Sequence, residues 1–300
     1  MTDQSAVQDG HLGQSAAAPG SALRAALMLA GFLALTVPLM PLQALLKRAA
    51  PRAARHFPHW YHRRVCGLLG LRLNIDGAVL PDRPVLLIAN HVSWLDIPVL
   101  SAVAPLSFVA KQEVGGWPVV GTLARLQRTV FVDRERRRTV GRTAGAISQR
   151  LAQGDNILLF AEGTSSDGNR VLPFKTSLFG AVVESKGGSA QTAARDADGD
   201  VRDGASGSAS HQPVVQTVSL VYTRLHGIPL GRSDRPLIGW YGDMDMAPHA
   251  WRLLKAGPLD VCIRVGQPVS LAKFSDRKAL AQLTEANVRS DVVALLRGGA

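Results

Sequence analysis

Residues 85–96 read Val-Leu-Leu-Ile-Ala-Asn-His-Val-Ser-Trp-Leu-Asp. The run from Val85 to Ala89 carries no polar side chain, which is the pattern of a short strand buried on both faces, because a half-exposed strand would alternate. Comparable runs bounded by turn residues occur at 108–110, 130–132, 157–160, 214–221 and 259–265. Residues 136–152 and 175–184 lie between them and read as helices. This alternation predicts an α/β layer fold with a largely buried sheet. The first run ends in Asn-His and turns into a helix near Asp96, so an imidazole and a carboxylate share one short connection.

That pairing suits general-base chemistry. An alcohol is a poor nucleophile until a base with a pKa near 7 takes its proton, and a carboxylate on the second ring nitrogen fixes the tautomer and stabilises the imidazolium. Read alone, the same residues fit a satisfied loop histidine, His91, followed by a helix-capping Asp96.

Outward from this segment, composition bounds the rest. The chain has 300 residues, 46% of them apolar, enough for one large or two small domains of roughly 100 to 200 residues. We read one catalytic domain over 71–300, interrupted by a flexible insertion at 186–212 that is built almost wholly of small and polar residues. The formal charge of +11 attracts anionic partners without choosing among them. The two cysteines, Cys66 and Cys262, have no Cys-x-x-Cys spacing, so neither a disulfide framework nor a zinc site is expected.

Residues 1–21 lack an apolar period and read as a disordered leader. Residues 25–46 carry no charge, and about 20 apolar residues span a bilayer core. We therefore assign 22–70 to a membrane-docking or transmembrane segment with its basic flank. A cleaved signal is disfavoured because the run ends in Lys47-Arg48 instead of a small-residue site. A buried helix is disfavoured by Arg52, Arg55, Arg63 and Arg64, which fit a cytoplasmic flank. These basic residues cluster beside the apolar segment, a placement that fits an anionic membrane surface, so nucleic acid is not the expected partner.

Three blocks in order, Asn90 to Asp96, then Phe131-Val132-Asp133-Arg134, then Phe160-Ala161-Glu162-Gly163-Thr164, resemble the glycerolipid acyltransferase family of the 1-acylglycerol-3-phosphate type. The resemblance covers roughly 71–271. It implies a mixed central sheet flanked by helices, with an N-terminal membrane helix or docking element. It further implies that His91 is the catalytic base, that Asp96 is its partner, that Arg134 contacts the acceptor head group, and that Glu162, Gly163 and Thr164 help form the acceptor site. The acceptor is then a lysolipid hydroxyl, and acyl carrier protein or acyl-CoA is a co-substrate, with no metal and no further cofactor. The expected setting is the bacterial inner membrane, with the catalytic domain facing the cytoplasm. The residues themselves agree in part: a glycine turn after an apolar strand lets the backbone approach a ligand, and arginine supplies a forked donor for phosphate or carboxylate. No Gly-x-Ser-x-Gly elbow offers a covalent nucleophile, so direct attack on a thioester is expected. Residues 114–126 read either as a wall for the acyl chain or as core packing.

One departure bears on the acceptor. Phosphate-reading members of the family commonly have an arginine after Glu-Gly-Thr, where this chain has Ser165. The string EGTSSDGNRVLPFKTSLF at 162–179 and the later Trp240-Tyr-Gly-Asp-Met-Asp-Met-Ala-Pro-His249 resemble the lyso-ornithine-lipid acyltransferase branch. That branch implies an amino-acid head group, for which Asp243 and Asp245 are candidate partners. The alternatives are a 1-acylglycerol-3-phosphate acyltransferase using Arg134, Arg170 and Lys175, and a lipid-binding protein without chemistry.

Overall fold

A computed structural model describes residues 21–132, 140–179, 214–271, 274 and 276–298. Residues 1–20 of the expected leader, Arg134, and the 186–212 insertion therefore lie outside the described residues, while Ser21 belongs to the first helix as its cap. Every strand expected from an apolar run is present. In chain order they are β2 (Val85–Ala89), β3 (Ser107–Lys111), β4 (Val130–Val132), β5 (Ile157–Phe160), β6 (Val214–Leu225) and β8 (Leu259–Val265). Three further strands were not anticipated: β1 (Leu71–Asp76), whose residues are mostly exposed or half-buried, and the two-residue strands β7 (Ile228–Pro229) and β9 (Val269–Ser270).

The sheet runs β1-β8-β6-β2-β5-β3-β4, with β7 and β9 paired to β6. Strands β6, β2, β5, β3 and β4 are mutually parallel, while β8 is antiparallel to β6 and carries β1 parallel to itself. The sheet is thus mixed, as expected. Strands β2 and β5 are buried throughout because both faces are covered. Alternate residues feed two cores: Val85, Leu87 and Ala89 face one, and Leu86 and Ile88 face the other. On the second face lies α7 (Arg277–Gly298), whose buried Leu280, Ala281, Thr284, Val288 and Val292 form a stripe at helical spacing.

The first face is covered partly by the N-terminal helices. Helix α1 (Ala22–Ala49) is capped by Ser21, whose Oγ accepts from the Arg24 N–H at 3.1 Å. Helix α2 (Pro51–Leu69) begins with proline at its first turn, where the missing N–H costs nothing, and stops at Gly70 with φ 72°. Its Val65, Cys66 and Leu69 belong to the same core as the sheet, so the core continues across the expected boundary at residue 70.

Helix α1 also lies along the domain. Arg24 Nη1 donates to the Leu254 carbonyl (2.7 Å), Gln43 Nε2 to the carbonyls of Ala54 and Leu126 (3.0 Å each), and Lys47 Nζ to the Arg125 carbonyl (2.7 Å). Its buried and half-buried residues form one stripe, leaving Leu23, Leu27, Leu33, Val37 and Leu45 exposed on the rest. Residues 114–126 are not core packing. Of them only Gly121 is buried, and they form a short turn and α4 (Val120–Leu126) at the surface, with Trp117 and Val119 exposed.

Helix α3 (Asp96–Ser101) follows β2, and α5 (Val140–Ala152) occupies most of the helix expected at 136–152. The helix expected at 175–184 is seen at 176–179, beyond which the chain lies outside the described residues. Helix α6 (Met246–Ala256) precedes β8. At the edge opposite the site, the buried carboxylate of Asp155 holds Arg55, Arg128 and Arg150, tying α2 and α5 to the turn before β4.

Candidate active site

The parallel pairing of β2 with β5 sets Ala89 opposite Phe160. His91 and Glu162 each follow two residues later, so both emerge at the carboxyl ends of adjacent parallel strands, where open α/β sheets place their ligand sites. The end of β2 is held by Asn90, which acts as a surrogate strand residue. Its Nδ2 donates to the Leu220 carbonyl and its Oδ1 accepts from the Leu220 N–H, both at 2.9 Å. This pair of hydrogen bonds to β6 lets the backbone leave the ladder at His91 without abandoning its neighbour.

His91 and Asp96 meet as the spacing predicted. His91 Nδ1 donates to Asp96 Oδ2 at 2.7 Å, and the imidazole stacks on the Phe160 ring with centroids 3.9 Å apart. The same Oδ2 accepts the N–H groups of Val92 (2.6 Å) and Ser93 (3.0 Å), and Oδ1 accepts the Tyr222 hydroxyl at 2.7 Å. Asp96 is wholly buried, so these donors replace water around a charge that could not otherwise be held there. With Nδ1 engaged, Nε2 is the ring nitrogen left to take a proton, and 18% of the His91 side chain is exposed to receive one.

Glu162 lies beneath the His91 loop, within the site. It is 1% exposed, and its two oxygens accept the backbone N–H groups of His91 and Leu172, each at 2.7 Å. Both carboxylate oxygens accept from the protein backbone, so Glu162 braces the His91 loop against the following turn. Burial raises its carboxyl to about 7, against the pull of the two N–H donors. Gly163 follows with φ 73°, a conformation that favours glycine, and Thr164 is the exposed member of the turn, open to a ligand.

The segment from Gly239 onward closes the other side. The Trp240 N–H donates to the Val92 carbonyl at 2.9 Å, the Ser165 hydroxyl donates to the Trp240 carbonyl, and Ser166 N donates to the His91 carbonyl at 2.9 Å. Trp94 Nε1 donates to His249 Nδ1 at 3.1 Å, and burial lowers the His249 pKa, keeping that ring a neutral acceptor. The string at 240–249 is therefore wrapped onto the His91 loop at both ends. Asp243 and Asp245 are exposed, as are Arg170 and Lys175, and Trp117 stands edge-on to Trp240 with centroids 6.2 Å apart at the rim. Sequence reasoning missed Tyr222 and Asn90 because their partners lie more than a hundred residues away. Among the described residues, no group of three or more His, Cys, Asp or Glu is placed to hold a metal ion.

Residues 72–195 match the family model described as Acyltransferase. The chain is 44% identical to the lyso-ornithine lipid O-acyltransferase of Brucella abortus (strain 2308), covering 92% of this chain and 96% of that protein. It is 42% identical to the protein of the same name from Rhizobium meliloti (strain 1021), over 87% of this chain and 82% of that one. Its fold is similar to the crystal structure of the 1-acyl-sn-glycerophosphate (LPA) acyltransferase, PlsC, from Thermotoga maritima, with a TM-score of 0.61 and 20% identity over 91% of this chain and 94% of that one. An imidazole bonded to a carboxylate at the strand ends, the matched domain around them, and these identities over nearly the full length establish that the chain belongs to the acyltransferase family.

Proposed function

We propose that this acyltransferase moves a fatty acyl group from an acyl thioester, carried on acyl carrier protein or CoA, to the hydroxyl of a lyso-ornithine lipid. The observation that carries the chemistry is the His91–Asp96 pair at the strand ends. His91 Nε2 takes the proton of the acceptor hydroxyl as that oxygen attacks the thioester carbonyl. Asp96 stabilises the imidazolium that results. Collapse of the tetrahedral intermediate breaks the C–S bond, and the imidazolium returns the proton to the departing thiolate. Thr164 and the Trp240 segment flank the acceptor's place, and Arg134 is assigned to its head group from the family motif alone.

The choice of acceptor rests on the similarity to the Brucella and Rhizobium proteins and on Ser165 standing after Glu-Gly-Thr, where the family resemblance leads one to expect an arginine in phosphate-reading members. Asp243 and Asp245 are available to an acceptor's amine on the segment bonded to Val92. The exposed apolar face of α1 lies in the membrane surface of the bacterial inner membrane, with the catalytic domain on the cytoplasmic side.

The test is acyl transfer by the wild-type protein and His91→Ala in detergent or membranes, with labelled acyl donor and with lyso-ornithine lipid and lysophosphatidate supplied side by side. Transfer to lyso-ornithine lipid that falls at least about a hundredfold in His91→Ala is expected for loss of a general base. Transfer to lysophosphatidate alone would replace the acceptor, and activity unchanged in His91→Ala would remove the mechanism.

A further inference from the structure

Asp96 is bound unevenly. Three donors converge on Oδ2, from His91, Val92 and Ser93, and all three come from the same short loop. Among the described residues, the one donor to the other oxygen comes from far away in sequence, the Tyr222 hydroxyl on β6, 2.7 Å from Oδ1. Tyr222 is 3% exposed and packs in the core that faces the N-terminal helices. It stands where the pairing of β6 with β8 becomes irregular, between Tyr222 and Arg224, while the Asn90 bridge to Leu220 keeps β6 beside the His91 loop two residues earlier. The fold thus delivers a single hydroxyl to the one oxygen the loop leaves open.

We propose that Tyr222 is a positioning residue of the acyl-transfer reaction, orienting the Asp96 carboxylate and setting how strongly it supports His91 as a base. The inference rests on the assignment of His91 and Asp96 made above. A carboxylate pinned at one oxygen can still rotate about its side-chain bond, and a donor on the second oxygen stops that rotation. The donor also draws charge toward Oδ1, which weakens the hold of Oδ2 on the Nδ1–H. Burial, followed by the nearby Asp96 charge, raises the Tyr222 phenol well above its ordinary range, so it remains a donor throughout the working pH range.

The groups facing this pair are few. Cys66 on α2 lies toward Tyr222, and burial holds its thiol up to about 12, so it is neutral. Glu162 lies toward Asp96 from the turn after β5 and titrates near 7, with Arg289 of α7 beyond it. Glu162 therefore contributes to the pH profile of every variant, and the role of Tyr222 is read from the shift between variants in which Glu162 is unchanged.

The experiment compares wild type, His91→Ala, Tyr222→Phe and the protein carrying fluorotyrosine at 222, measuring kcat and KM for the lysolipid acceptor across pH. Tyr222→Phe keeps the ring and removes the hydroxyl. We expect kcat to fall about tenfold, the scale of a lost hydrogen bond to a charged group, with KM little changed. The acid limb of kcat/KM should move to higher pH, by about half a unit, because the less occupied carboxylate holds the imidazolium more strongly. Fluorine strengthens the phenol as a donor at almost no cost in volume, so the limb should move the opposite way. Opposed shifts in the two variants would not arise from a merely structural role. If Tyr222→Phe fails to fold, the fluorotyrosine protein decides: an unmoved limb overturns the proposal. Full activity in His91→Ala would instead overturn the dyad itself and this proposal with it.

Discussion

The buried Glu162 carboxylate is held between two backbone N–H groups of the site. Its oxygens bridge the His91 N–H and the Leu172 N–H, so it joins the loop that carries His91 to the turn that lies across from it. Replacing it with glutamine keeps one acceptor oxygen and sets an amide NH₂ against a backbone N–H. Thermal unfolding of Glu162→Gln should report a loss of about 1–3 kcal/mol at pH 5, the usual cost of a buried polar group left unpaired. The pH dependence follows from burial, which raises this carboxyl from the usual range to about 7. Between those values the folded protein keeps a proton that the unfolded chain has released, so the contribution is present at low pH and is lost as pH rises through about 7. The stability gap between wild type and Glu162→Gln should therefore narrow between pH 5 and pH 8. A gap independent of pH would show that the folded protein holds Glu162 ionised throughout.

At the scale of elements, α1 carries two kinds of surface. One stripe is fastened to the domain by specific bonds, among them Gln43, which is buried and donates to carbonyls in both α2 and α4. Gln43→Leu keeps the volume roughly constant and leaves those carbonyls without their donor. We expect a loss of about 1–3 kcal/mol in urea unfolding. The other stripe exposes Leu23, Leu27, Leu33, Val37 and Leu45, an apolar strip of the kind that marks a contact surface for lipid or protein. Serine at Leu27, Leu33 and Val37 should leave the fold intact and weaken co-sedimentation with anionic vesicles by at least tenfold, since each leucine buried in lipid contributes about 1.5–3 kcal/mol. Unchanged vesicle binding would place the membrane contact elsewhere.

For the whole molecule, the same fastening has a consequence for topology. The 28 residues of α1 extend about 42 Å, more than the roughly 30 Å of a bilayer core, so length and composition alone permit a crossing. Yet Arg24 near its start and Lys47 near its end both bond to the catalytic domain, through Leu254 and Arg125. We therefore expect α1, docked at both ends on one domain, to lie in the membrane surface beside that domain and not to cross it. Tags placed at the N-terminus and the C-terminus should therefore be cleaved together by protease added to one side of sealed vesicles. Protection of one tag while the other is cleaved would mean that α1 leaves the domain and spans.

The chemistry that sequence could determine was local. An unbroken apolar run followed by Asn-His-x4-Asp carries its own reading, because strand burial and a five-residue reach from imidazole to carboxylate depend only on neighbours in the chain. The β2 strand, the His91–Asp96 pair, and the six apolar runs of the sheet were legible for that reason. So was the apolar character of α1, though not which of its faces met protein. What the tertiary structure alone decided was non-local: that Asn90 bonds to Leu220, that Tyr222 closes the carboxylate of Asp96, that Glu162 turns inward, and that the segment beginning at Trp240 folds back onto Val92. These contacts join strands and loops separated by dozens of residues or more, and no periodicity encodes them. They exist because the parallel order of the sheet brings the ends of β2, β5 and β6 side by side, and a buried carboxylate there must find its donors wherever the fold supplies them.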